Sequence, residues 1–109
     1  MPSQTPANPT PEVIILPDID QQVWVEPPYK VIIHNDHVTT FEFVEKLLRT
    51  LFQKSEFEAA QIATTTHQRG KALVCVRPQS EAEGLARKGI FAARMEGFPL
   101  MLSTERDDT

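Results

Sequence analysis

Three Ser/Thr-x-x-Glu quartets punctuate this chain, at Thr39 to Glu42, Ser55 to Glu58 and Ser80 to Glu83. Each fits a capping box. The hydroxyl accepts from the third helical N–H and the glutamate reaches back to the cap's own N–H. Three helix starts are therefore expected, with Thr39, Ser55 and Ser80 as caps. After Thr39, the apolar residues Val44, Leu47, Leu48 and Leu51 form a stripe of helical period. After Ser55, Ala59, Ile62, Ala63 and Thr66 share a side, and Gly70 is a fitting stop. After Ser80 come Ala82, Leu85, Ala86, Ile90 and Ala93, ending at Gly97. Gly84 and Gly89 weaken this third helix by about 1 kcal/mol each relative to Ala. The compensation expected for them is close packing.

The segments around these helices read as strands. Residues 29–34 hold contiguous β-branched Val31, Ile32 and Ile33, as in a well-buried strand. Residues 71–77 and 98–104 are the other two. The order is β-α-α-β-α-β, an α+β fold whose three helices cover one face of a three-stranded sheet. Seven of the nine prolines fall before residue 29, while all the glycines lie from Gly70 onward. Residues 1–28 are therefore expected to be a flexible N-terminal extension, and 29–106 the folded domain. Two apolar patches, at residues 13–16 and 23–25, interrupt the extension. They either pack loosely on the domain or dock a partner.

The net charge of -4 argues against a nucleic-acid partner, which needs a basic stripe. A positively charged group on a ligand is easier to accommodate. The lone Cys75 sits in an apolar strand pattern and reads as a small core residue rather than a nucleophile. No basic, then apolar leader opens the chain, and no apolar run approaches the roughly 20 residues of a spanning helix. A cytoplasmic protein with no membrane contact is expected.

Polar residues concentrate where the first strand stops. Asn35 offers an amide oxygen, Asp36 a carboxylate and a neutral His67 a ring nitrogen. An ammonium group is a compact cation with three donors and no acceptor. These three acceptors, one of them anionic, match an α-amino terminus. The alternative is plain turn chemistry, with Asn and Asp bonding nearby backbone. Phe41, Val44, Ala63, Thr66 and Leu100 are placed to line an apolar cavity beside the corner, or are ordinary core. His34, His37 and His67 with Asp36 carry atoms able to bind a metal. No Cys pair or His-Glu-x-x-His spacing supports that, and no nucleophile elbow or phosphate loop points to catalysis. No metal, cofactor or enzymatic activity is expected.

Pro27 to Ile33, Asn35-Asp36, Thr39, Glu42-Phe43-Val44 and His67-Gln68-Arg69-Gly70-Lys71-Ala72, with Pro99-Leu100, together resemble the ClpS family over roughly residues 27–106. The resemblance implies a three-stranded antiparallel sheet with three helices. It implies a non-enzymatic adaptor that binds N-degrons, proteins with a free α-amine and a bulky hydrophobic first residue. Such an adaptor delivers them to a Clp AAA+ ATPase (ClpA or ClpC) for degradation by the Clp protease, and the N-terminal extension takes part. By position, Asn35, Asp36 and His67 match the residues that hold the α-amino group. Thr39, Phe41, Val44, Ala63, Thr66 and Leu100 match the wall of the first-side-chain pocket.

Departures from the family pattern are informative. His37 stands where a second acid is usual, and is a possible peptide contact. Phe41 replaces a frequent Met. Ala63 replaces a Met that gates against β-branched first residues, and Thr66 replaces an apolar residue. The cavity is expected to be reshaped, admitting Ile or Val. On the third helix, Glu81 or Glu83 with Arg87 or Lys88 would form the ATPase-docking surface, with Leu85 where a lysine is usual. The alternative within this family is a protein whose degron specificity is altered or lost. It would then modulate a Clp ATPase or dock another partner. A metal-binding or small-enzyme role comes third.

Overall fold

A computed structural model describes residues 14–16 and 23–108. What was expected of residues 1–13 and 17–22 lies outside the described residues. The elements run β1 (Ile14–Leu16), β2 (Val23–Val25), β3 (Pro28–His34), α1 (Phe41–Thr50), α2 (Glu56–Arg69), β4 (Lys71–Pro78), α3 (Gln79–Met95) and β5 (Met101–Arg106). The two apolar patches of the extension pair with each other. β1 and β2 run antiparallel, with Ile15 opposite Trp24.

The main sheet has the order β4-β3-β5, and β3 pairs antiparallel with both neighbours. A central strand has a partner on both edges, which suits the β-branched run Val31-Ile32-Ile33. Val31 and Ile33 are fully buried in the core with Ala72, Val74 and Leu102. Ile32 points the other way, between Leu73 and Ser103. The helices cover the first of these faces, as expected. Pairing between β3 and β4 slips between Val31 and Ile32, which face Cys75 and Leu73. The extra residue is a bulge, and it lets the consecutive Val74 and Cys75 both be buried. Burial pushes the Cys75 thiol above its ordinary 9.0, as befits a core residue rather than a nucleophile.

Of the three capping boxes, the middle one forms in full. Ser55 Oγ accepts from Glu58 N at 3.0 Å, and Ser55 N donates to Glu58 Oε1 at 3.0 Å. The first is displaced by one residue. Thr40, not Thr39, caps α1, accepting from Phe43 N at 3.1 Å. Thr39 is withdrawn because it donates both its N–H and its hydroxyl to Asp36. Glu42 stays in the exposed first turn, where a negative charge favours the helix dipole. The third box is replaced. α3 begins at Gln79, and its orphan N–H groups are met by the residues just before β3, whose start pairs with the end of β4. Glu26 accepts from Ser80 N at 2.6 Å and from Ser80 Oγ at 2.9 Å, while Pro27 O accepts from Gln79 N at 3.0 Å. Glu83, freed from capping, accepts from Gln79 Nε2.

The two glycines inside α3 differ. A Cβ on Gly89 would lie 3.0 Å from Leu102 Cδ1 and 3.5 Å from Leu51 Cδ2, whereas one on Gly84 would meet only Arg87 Nη2 at 3.9 Å. The close packing expected of both is therefore a property of Gly89. α1 and the segment before β5 meet through Phe43 and Phe98, whose rings lie 5.1 Å apart in an edge-on arrangement.

Candidate functional site

Gly70 fixes the geometry of the corner. It ends α2 in the left-handed conformation, at φ 92°, which a residue without Cβ adopts freely. Its carbonyl then accepts from Asn35 N at 2.9 Å. That bond ties the end of β3 to the last turn of α2, where His67 lies. Residues more than thirty positions apart in sequence thus meet at one rim.

Asp36 builds the turn that follows. Its Oδ1 accepts from Val38 N at 2.8 Å and Thr39 N at 2.6 Å, and its Oδ2 accepts from Thr39 Oγ1 at 2.7 Å. This is an Asp-led turn of the kind anticipated as the bland alternative. It does not exhaust the carboxylate. An ionised carboxyl offers about four acceptor positions, so one remains on Oδ2. Partial burial pushes the Asp36 carboxyl up. The bonds from Thr39 and Val38, with the neighbouring His37, more than offset this, so it titrates below the ordinary 3.8. The corner is a preformed anion.

A cavity of about 380 Å³ opens beside it, lined by Asn35, Asp36, His37, Thr39, Phe41, Val44, Ala63, Thr66 and His67. Asn35, His37 and His67 are exposed at its rim. Phe41 is 42% exposed, while Val44, Ala63 and Thr66 are at most 8% exposed and form the deep wall. α1 supplies Phe41 and Val44, three residues apart on one helix face. α2 supplies Ala63 and Thr66 in the same way. Among the described residues Thr66 is the one buried polar side chain, and its hydroxyl donates to Ile62 O at 2.8 Å.

Most residues singled out in the sequence are thus brought together. Leu100 is not: it is 1% exposed, lies in the core and does not line the cavity. His34 points to the open face of the sheet and meets Ser103 Oγ at 2.6 Å, so it is a strand residue rather than a ligand. Among the described residues, no group of three His, Cys, Asp or Glu side chains is placed to hold a metal ion. Glu81, Glu83, Arg87 and Lys88 line another surface, on α3, where Arg77 pairs with Glu81 at 3.3 Å. Sequence reasoning missed Gly70 O as the tie and Glu26 as the cap of α3. Neither carries a local signal, because both act on residues far away in the chain.

The sequence profile of the family described as "ATP-dependent Clp protease adaptor protein ClpS" matches residues 25–103. This chain belongs to the ClpS family. It is 36% identical over 100 residues to the "ATP-dependent Clp protease adapter protein ClpS 2" of Mesorhizobium japonicum, a match covering 90% of this chain and 99% of that one. It is 37% identical to ClpS 1 of Rhodopseudomonas palustris, over 80% of this chain and 86% of that one. A solved structure of Agrobacterium tumefaciens ClpS2 bound to L-phenylalaninamide superimposes with a TM-score of 0.73 at 36% identity, covering 74% of this chain and 98% of that chain. The ClpS fold, α+β with an antiparallel sheet and the order β-α-α-β-α-β, agrees with that neighbour. No described helix is long and apolar enough to cross a membrane.

Proposed function

We propose that this ClpS protein is a non-catalytic adaptor. It binds the free α-amino group and hydrophobic first side chain of N-degron substrates and delivers them to a Clp AAA+ ATPase, ClpA or ClpC, for degradation by the Clp protease. The observation that carries this is the joining of one anion and two further acceptor side chains, on Asp36, Asn35 and His67, to an apolar-walled cavity. The ligand in the Agrobacterium structure has the matching chemistry: L-phenylalaninamide carries a free α-amine and a benzyl side chain. A charge-assisted bond contributes about 1.5–3 kcal/mol, and burying a Phe or Leu side chain a similar ~1.5–3 kcal/mol. A ligand needs both to bind well.

Asn35, Asp36 and His67 are assigned to the amine; Thr39, Phe41, Val44, Ala63 and Thr66 to the side-chain cavity; and His37 to the peptide beyond. Glu81, Glu83, Arg87 and Lys88 are assigned to ATPase docking. Residues 1–28 serve as the extension that assists delivery, in the cytoplasm. The test is a titration with a free-amine peptide beginning with Phe beside its acetylated twin. Binding of the first only is expected. Equal binding, or none, refutes the proposal and favours a ClpS-fold regulator without degron recognition.

A further inference from the structure

A threonine in the deep wall of an otherwise apolar cavity calls for an account. Thr66 is 3% exposed, and its hydroxyl proton is committed to Ile62 O at 2.8 Å. A hydroxyl carries one donor and two acceptor lone pairs. The oxygen of Thr66 is therefore an acceptor on a cavity-lining residue, walled otherwise at depth by Val44 and Ala63. Ala63, one turn earlier on the same helix face, has only a methyl group and leaves room for a ring to approach.

We infer that Thr66 makes this cavity prefer tyrosine over phenylalanine as the first residue. This rests on the degron-binding function proposed above and specifies its ligand. In a wholly apolar pocket phenylalanine has the advantage, because burying the tyrosine hydroxyl without a partner is costly. The Thr66 oxygen reverses that sign. Before binding, water can donate to it. A tyrosine O–H that displaces the water restores the bond, whereas a phenyl ring leaves the oxygen without a donor. Thr66 is a specificity residue in this sense: it meets the tip of the side chain, while the rim holds the amine.

Two free-amine peptides that differ only in Tyr or Phe at the first position are titrated against the full chain and against Thr66→Val and Thr66→Ser. The wild-type protein is expected to bind the Tyr peptide about 3- to 10-fold tighter, the worth of one neutral hydrogen bond. Thr66→Val, nearly the same shape without the hydroxyl, is expected to bring the ratio to one or below. Thr66→Ser keeps the oxygen and the preference. Equal wild-type affinities, or tighter Phe binding, overturn the inference while leaving degron binding intact. A Tyr preference that survives in Thr66→Val overturns the assignment to Thr66. Failure of both peptides to bind the wild-type chain overturns the proposed function, and the inference with it.

Discussion

Replacing Asp36 by Asn separates the two duties of that side chain. The amide oxygen can still take the place of Oδ1 and accept from Val38 N and Thr39 N, bonds now 2.8 and 2.6 Å long. At the other position an NH₂ replaces Oδ2, and the Thr39 hydroxyl, which donates there at 2.7 Å, must turn and accept instead. The turn should survive, with a stability loss below about 1 kcal/mol, since Asn serves nearly as well as Asp in such turns. The charge does not survive. The ammonium then meets an NH₂ where the free acceptor position on Oδ2 was, so a charge-assisted bond worth about 1.5–3 kcal/mol is lost. That loss corresponds to roughly 10- to 150-fold in affinity. Asp36→Ala removes the turn bonds as well, and should cost a further ~1–2 kcal/mol of stability. The assay is fluorescence anisotropy with a labelled free-amine Phe peptide, alongside urea unfolding of each variant. Unchanged affinity in Asp36→Asn would falsify the role of Asp36 as the amine's counter-charge, even if the turn behaves as described.

Four further outcomes are expected. Because the folded-state pKa of Asp36 is lowered from 3.8, its contribution to stability is present above that value and lost as pH falls through the folded pKa. The difference in unfolding free energy between wild type and Asp36→Asn should be flat above about pH 5 and shrink towards zero in strong acid. In α3, Gly84→Ala should stabilise by about 1 kcal/mol. Gly89→Ala should destabilise despite the same propensity gain, because its Cβ meets Leu102 Cδ1 at 3.0 Å and over-packing costs about 1–3 kcal/mol; thermal melts giving both the same sign would contradict this. Glu26→Ala leaves Ser80 N and Oγ without their acceptor and should lower stability by ~1 kcal/mol, the usual loss for a cap, in a denaturant titration. Finally, the small Ala63 should let an Ile-first peptide bind within about tenfold of a Leu-first one, and Ala63→Met should widen that gap; a wild-type protein blind to Ile would count against the reshaped cavity.

The helices and strands were legible because periodic apolar positions and β-branched runs act over a few residues. Ser55 shows this at its simplest, since its cap, its glutamate and its helix lie within one turn of sequence. Thr39 shows the limit. Its pattern is as good as that of Ser55, yet Asp36 captures its donors first and moves the cap to Thr40. An acidic side chain three residues upstream competes for the same hydroxyl, and a local pattern does not rank the two. Ser80 fails differently, because its partner Glu26 is 54 residues away. The corner residues Asn35, Asp36 and His67 were identified by their chemistry, but what joins them is a backbone bond to Gly70, visible in sequence only as a helix stop. Leu100 looked like cavity wall for the reason any apolar residue near a pocket does. Val44 and Ala63 belong to the core and line the cavity as well, so where each side chain stands relative to the cavity decides, and sequence does not state that.

Selecting an N-terminus is harder than binding a hydrophobic side chain, because every chain carries many such side chains and one α-amine. In the proposed binding mode, charge is placed where an internal residue cannot answer it. An internal Phe that entered the cavity would bring an amide, with one N–H donor and no charge, to Asn35, Asp36 and His67. In that mode Asp36 makes the refusal firm, because its turn bonds orient it in the absence of a ligand. Three bonds from Val38 and Thr39 hold the carboxylate in place before anything binds. No ordering cost is left for the ammonium to offset. Those same bonds keep the carboxyl ionised, so it cannot relieve the mismatch with an amide by picking up a proton near neutral pH. Acetylating the α-amine turns a true N-terminus into this internal case. Weakening the turn through Thr39→Val should therefore reduce discrimination between free and acetylated peptides more than it reduces binding to the cavity itself. The ratio of the two affinities, measured for wild type and variant side by side, checks this, and an unchanged ratio would mean that the turn does not set the discrimination.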